Sequence, residues 1–493
     1  MLFNSFAFVL LFLPATILGF FASSRLSPHA GRLWLVVASL IFYAWWDPRF
    51  LPILIISITI NHAFWRIIAS NSGRIQITAR AAGIGCNLFL LVYFKYAVAW
   101  LGTCGIAIDT PPLPLGISFF TITQIGLLID ARAGQAERPT LTGHALFVSF
   151  FPHLIAGPIL SHQEMMPQFT AARVFSPSAV NIATGLAIFI TGLLKKTLLA
   201  DPLASTVASG FAHPGSLTLF PAWQTALSYS LQLYFDFSGY SDMAIGAARM
   251  LNIQFPANFN SPYKACSIID YWQRWHITLT RYLTIYLYNP LALWLTRRRI
   301  ARGRAVDRRA RASWAGFANL VALPTAITIT LAGIWHGSGV TFLAFGLMHA
   351  IFLIVNHAWR LRCGTRAQPH LWAGVLTYCC VLAGSVVFRA PSLTSAGTVF
   401  AGMLGAHGIR LIQPDLRQTM EIARLAALYA IVWLAPNTQQ IMRRYEPVLG
   451  TVSLASSQLA WQPSVPWAAV LGVAACLGLL SLGGSSEFLY FRF

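Results

Sequence analysis

Uncharged apolar stretches recur along the whole chain, and they restrict its fold more than any motif does. They lie near residues 3–22, 33–46, 50–69, 83–101, 113–129, 144–160, 179–200, 221–247, 317–335, 338–359, 371–388, 420–435 and 466–483. Many approach or exceed the roughly 18 to 20 residues that a helix needs to cross a hydrocarbon layer about 30 Å thick. Inside lipid the backbone finds no water, so its N–H and C=O groups must pair within the segment, which long apolar runs do as helices. The pattern predicts an all-α, polytopic integral membrane protein with about eleven to thirteen membrane segments, some short or re-entrant. Of its 493 residues 56% are hydrophobic and only 10% charged, against roughly a quarter charged in soluble domains. No repeat, low-complexity tract or linker separates a second domain, so residues 1–493 read as one membrane domain.

The net charge of +20 would suggest nucleic acid in a soluble protein. Here the basic residues lie in short loops between spans, the positive-inside pattern, and no nucleic-acid partner is expected. The densest run, TRRRIARGRAVDRRARASW, carries eight arginines between Arg297 and Arg311 and one acid, Asp307, which places it on the cytosolic face. It either anchors the topology on anionic lipid head groups or attracts an anionic substrate. The first apolar segment precedes its first basic residue, Arg25, and reads as an uncleaved span with the N-terminus outside. Seven cysteines show no CxxC spacing, so neither a zinc site nor a disulfide framework is indicated.

The interruptions are informative. DTPPLPLG (109–116) and FPHLIAGP (151–158) break apolar runs with proline, as half-helices or re-entrant backbone do. Residues 255–290 interleave aromatics with Lys264, Asp270, Arg274, His276 and Arg281, too polar to span and suited to an interfacial or partly buried helix. Three clusters place polar groups where lipid is expected, which raises a functional hypothesis by default. Gln232, Asp236, Ser238, Ser241 and Asp242 punctuate QLYFDFSGYSDMAIG, His276 ends DYWQRWH, and His336 sits in GIWHGSG. Each has a plainer reading. Asp236 and Asp242 could cap a broken helix or pair with Arg249 or Arg274; Tyr271, Trp272 and Trp275 could be interfacial anchors; His349 could satisfy a buried carbonyl. His336 stands out because Gly337 and Gly339 give its surroundings backbone freedom, as presentation to a substrate would require. No HExxH, G-x-S-x-G or P-loop is present, which removes zinc proteases, nucleophile-elbow hydrolases and phosphate cradles.

Taken together, the blocks NLFLLVYFKY (87–96), PLGISFFTITQIGLLIDARAG (114–134), FPHLIAGPI (151–159), YFDFSGYSDMAIGAARMLNIQFPANFNSPY (234–263), YWQRWHITLTRYLTIYLYNPL (271–291), LAGIWHGSGVTFLAFGLMH (331–349), FRAPSLTSAG (388–397) and the terminal FLYFRF resemble the membrane-bound O-acyltransferase superfamily, in its bacterial alginate O-acetylase-like branch. The resemblance implies N-terminal spans over 1–110, a catalytic core over 111–360 and C-terminal spans over 361–493, arranged around a central tunnel. It implies that His336 is the catalytic histidine and His276 its paired histidine, with Trp272, Trp275, Trp335, Gln232, Asp236, Ser241 and Asp242 lining the tunnel or binding substrate. Pro324 argues against one straight helix leading to His336. No bound cofactor or metal is implied; acetyl-CoA would enter from the cytosol as donor. A periplasmic SGNH-type acetyltransferase or an acceptor protein would take the acetyl group on to an exported polysaccharide, from a multi-pass protein of the bacterial inner membrane.

Two other functions suit the same residues less well. A carrier-protein donor feeding teichoic acid or peptidoglycan modification shares the fold. A non-catalytic transporter or export channel would show paired broken helices in two related halves, and the chain has one asymmetric cluster.

Overall fold

A computed structural model describes residues 1–97, 113–132, 140–364, 371–409, 416–450, 459–483 and 489. The first half of the DTPPLPLG turn, Cys104 and nearly all of FLYFRF lie outside them. The described backbone is mainly helical, with one isolated β-bridge between Pro256 and Leu449. Seven stretches among the described residues are long and apolar enough to cross a membrane: Ala7–Ser24, Pro48–Ser70, Gly73–Ala97, Ala179–Ala212, Trp314–His336, Val340–Cys363 and Leu371–Arg389. Ile117–Asp130, Leu393–Met403 and Val465–Leu480 are shorter apolar helices. The protein is a polytopic, all-α membrane protein. The apolar runs outnumber the long helices because several, such as 144–160, fold as short helices joined by buried loop.

The chain forms two compact units. The first holds Met1–Leu198, Phe237–Ala257 and Thr438–Arg492. Its helices include α1 (Leu13–Ser24), α2 (Pro28–Ala44), α3 (Leu51–Ser70), α4 (Gly73–Val92), α5 (Ile117–Asp130), α6 (Leu141–Ser149) and α7 (Ala179–Leu194). Proline opens α2 behind a Ser27 cap whose side chain accepts from Ala30 N–H, the preferred chemistry of a helix start. Phe3, Phe8, Phe12, Phe42 and Phe151 form a contiguous aromatic core. Polar pairs tie the helices where lipid offers no hydrophobic gain: Asn61 and Asn87 exchange amide hydrogen bonds of 3.2 and 2.6 Å, and Gln124 donates to Ser57 Oγ at 2.9 Å. α6 stops at Ser149, the FPHL turn follows, and residues 155–160 run non-helical and wholly buried, as a membrane permits only inside protein. There His153 Nε2 donates to Phe147 O at 2.7 Å.

The second unit holds Leu199–Asp236 and Asn258–Asn437. One helix, α8 (Leu219–Met250), contributes to both units. The polar 255–290 stretch folds as two short helices, α9 (Ile268–Arg274) and α10 (Ile277–Leu283), hinged at His276. α11 (Asn289–Ile300) carries the start of the arginine run. α12 (Leu323–His336) and α13 (Val340–Cys363) form a tight hairpin against which α14 (Leu371–Arg389) packs, and α15 (Leu416–Leu434) follows. A Cβ on Gly333 would sit 2.5 Å from Phe342 O, so the hairpin closes on backbone contact. The approach to His336 stays helical past Pro324 but is not one uniform helix. A π turn over Ala318–Ala322 leads into α12, with Pro324 in its first turn, so the wide turn accommodates the ring and the missing N–H.

Candidate active site

His336 is the last residue of α12 and is 5% exposed. Phe388 of α14 and Phe345 of α13 meet its ring nearly edge-on, at centroid separations of 5.2 and 6.2 Å, and Trp335 flanks it at 5.0 Å. Gly337 is extended, with φ −173°, so no special backbone conformation demands glycine there. Space does: a Cβ would lie 2.2 Å from Phe342 Cε2, and the Phe342 ring packs on Phe388 at 5.1 Å. The Arg362 guanidinium lies over the Trp314 ring at 5.5 Å, putting the C-terminal end of α13 beside the residues that follow the arginine run. His336 is at the opposite end of this helical hairpin.

His276 is 1% exposed and occupies the left-handed region, φ 43°, ψ 53°, an uncommon and costly conformation for a residue with a Cβ. Asn258 holds it. Asn258 O accepts from Ile277 N–H at 2.9 Å, and Asn258 Oδ1 accepts from Thr278 Oγ1 at 2.9 Å and Thr278 N–H at 3.4 Å. The backbone donor identifies that atom as the amide oxygen, so His276 Nδ1, 3.0 Å away, is a donor to it. Burial pushes the His276 imidazole down to about 3; the ring is neutral near pH 7, and Nε2 carries its lone pair.

Trp272 and Trp275 are buried, which overturns their reading as interfacial anchors. Trp275 stacks on Tyr271 at 5.7 Å, Tyr271 faces His349 at 6.5 Å and Phe345 lies 4.6 Å from His349, so ring contacts run from α9 to the neighbourhood of His336 within the second unit. Trp335 is half-buried, and Gln232 and Asp236 of α8 are buried in the same unit. Ser241 and Asp242 belong to the first unit.

Asp242 takes neither partner foreseen from the sequence. Lys195 Nζ lies 2.6 Å from Asp242 Oδ2, and Thr438 Oγ1 and Gln439 Nε2 donate to the carboxylate at 2.6 and 3.2 Å. Arg274 instead pairs with Asp270 at 2.7 Å, one helical turn away, and Arg249 donates to Tyr445 O. Lys195 and Asn258 were missed by sequence reasoning. Lys195 sat at the end of an apolar run, where a cation passes for a snorkelling anchor, and the FNS context of Asn258 carried no spacing signal. Among the described residues no group of three or more His, Cys, Asp or Glu is arranged to hold a metal ion.

The model of the membrane-bound O-acyltransferase family matches residues 89–303, a segment that includes His276 and ends before His336. Along its whole length the chain is 36% identical to the peptidoglycan O-acetyltransferase of Helicobacter pylori, an alignment covering 100% of this chain and 98% of that one. The chain belongs to the membrane-bound O-acyltransferase family. Within the family it is also 32% identical, over 100% of both chains, to the probable alginate O-acetylase AlgI of Azotobacter vinelandii. The teichoic acid D-alanyltransferase of Streptococcus thermophilus is 26% identical over 50% of this chain and 57% of its own. Family membership makes the protein a membrane-embedded acyltransferase.

Proposed function

We propose that the protein passes an acetyl group from cytosolic acetyl-CoA across the bacterial inner membrane for O-acetylation of an exported or periplasmic polysaccharide. The observation that carries this reading is the end-to-end likeness to proteins named for O-acetyl transfer, whereas the D-alanyl-transferring relative aligns over half the chain. His336 is the general base. It takes the proton from an acceptor hydroxyl whose oxygen attacks the thioester carbonyl carbon; as the C–S bond breaks, the proton goes to the departing thiolate. The aromatic rings around His336 keep water, the competing nucleophile, from the thioester.

His276 works as a positioning group. With Nδ1–H directed to Asn258, its neutral ring offers Nε2 as an acceptor, so it orients a substrate N–H or O–H and does not polarise the thioester carbonyl by donation. Acetyl-CoA is the donor substrate, no further cofactor takes part, and a periplasmic SGNH-type transferase or acceptor protein receives the acetyl group. A phosphopantetheine carrier protein as donor is the second reading, supported by the shared family with the teichoic acid enzyme.

The test is transfer from radiolabelled acetyl-CoA by detergent-purified wild type and His336→Ala. The variant should lose about 10² to 10⁴ of the rate. Equal rates would remove His336 as the base; a wild type inert toward acetyl-CoA but active with an acylated carrier protein would select the second reading.

A further inference from the structure

His349 is a buried histidine of the second unit to which this chemistry assigns no role. It is 2% exposed, and its Nδ1 meets no hydrogen-bond partner among the described residues. Perpendicular to it at 5.5 Å stands the ring of Trp272, whose Nε1 is equally buried and equally without a partner there. Two buried polar atoms left unmatched on neighbouring rings in a protein interior are uncommon and call for a ligand or bound water. The fold makes room for the imidazole: a Cβ at Gly384 would lie 2.4 Å from His349 Nε2. The remaining ring neighbours, Phe345 at 4.6 Å, Phe352 at 5.7 Å and Tyr271 at 6.5 Å, suit a neutral group. Phe345 also touches His336, so a single ring separates this pair from the proposed base.

We infer that His349 and Trp272 form a second polar station that holds a secondary amide of the donor's pantetheine arm. An indole N–H can only donate and a neutral imidazole offers a lone pair. A secondary amide presents the complement, a C=O to accept from Trp272 and an N–H to give to His349. The amide nearest the sulfur of that arm is two carbons away, which suits a station one aromatic ring from the place where the thioester reacts. The inference rests on the proposed thioester donor, and it holds for coenzyme A and a carrier protein alike because both carry this arm. His349 and Trp272 are positioning residues.

Three variants of the full chain test it. Trp272→Phe keeps the ring and removes the N–H, His349→Leu removes the polar atoms, and His349→Asn restores a polar atom near the Nδ1 position. KM and kcat are measured for acetyl-CoA and for the amide-free S-ethyl thioacetate, alongside thermal stabilisation by free pantetheine. Trp272→Phe and His349→Leu should each raise KM for acetyl-CoA about tenfold with kcat nearly unchanged, leave S-ethyl thioacetate unaffected and lose the stabilisation by pantetheine; His349→Asn should recover part of each. Equal losses on both thioesters would mean a merely structural role and would overturn the inference. So would unchanged pantetheine stabilisation with impaired transfer to the acceptor, which would assign the pair to a sugar hydroxyl. A wild type not stabilised by pantetheine also sinks it, whereas acetyl transfer that survives His336→Ala, with pantetheine stabilisation still dependent on Trp272, would sink the proposed base and leave the station standing.

Discussion

His276 shows how much of a site can rest on one backbone torsion. Its left-handed conformation turns the chain between α9 and α10, and Asn258 holds both the ring and the residues that follow. Asn258→Ala is therefore expected to lower kcat about tenfold to a hundredfold, the range for a hydrogen bond to a buried group, with a smaller change in KM for acetyl-CoA. Steady-state kinetics on the purified variant checks it, and a KM effect alone would contradict the assigned orientation of His276. The histidine itself was legible in RWH. Its torsion and its amide partner were not, because Asn258 is 18 residues away in sequence and nothing in a local pattern announces a tertiary clamp.

Within the helices, buried charge is matched by contacts between distant segments. Lys195 at the end of α7, Asp242 on α8 and Thr438 beyond α15 meet in one network. Close packing accompanies it: a Cβ on Gly246 would lie 2.5 Å from Gly185 O, and one on Gly239 would lie 2.7 Å from Gly192 O, so α7 and this part of α8 touch through backbone. Lys195→Met leaves the Asp242 carboxylate buried without its cation and should cost about 3 to 5 kcal/mol, read as a fall in the thermal midpoint in detergent. The double variant Lys195→Met with Asp242→Leu should regain most of that loss, since two apolar groups need no compensation. A double variant as unstable as the single one would argue that the carboxylate's other hydrogen bonds dominate. Asp242 was visible in the sequence as an intramembrane acid, but its choice of Lys195 over Arg249 or Arg274 followed from helix packing.

At the scale of the whole molecule, acid should loosen both units. Burial lowers His162 of the first unit to about 4 and His276 of the second to about 3, against about 6.5 in an unfolded chain. Above pH 6.5 both states hold these rings neutral. Below it the unfolded chain takes up protons that the folded one refuses, so stability is lost progressively as pH falls from about 6.5 toward 3. The thermal midpoint in detergent should drop over that window, and a midpoint flat from pH 7 to 5 would contradict it. The drop should shrink in His162→Asn.

Composition and the length of the apolar runs determined the fold class, because a chain in lipid has few ways to pair its backbone. The order of the FDFSGYSDMAIG, RWH and WHG blocks determined the family. Tertiary structure decided the rest. The glycine after His336 serves Phe342, the tryptophans expected at an interface are interior, and His349 meets Trp272 across 77 residues of chain. Each of these depends on which side chain arrives from a remote segment. Sequence periodicity reports which face of a helix is apolar, and it carries no record of the neighbour that will cover it.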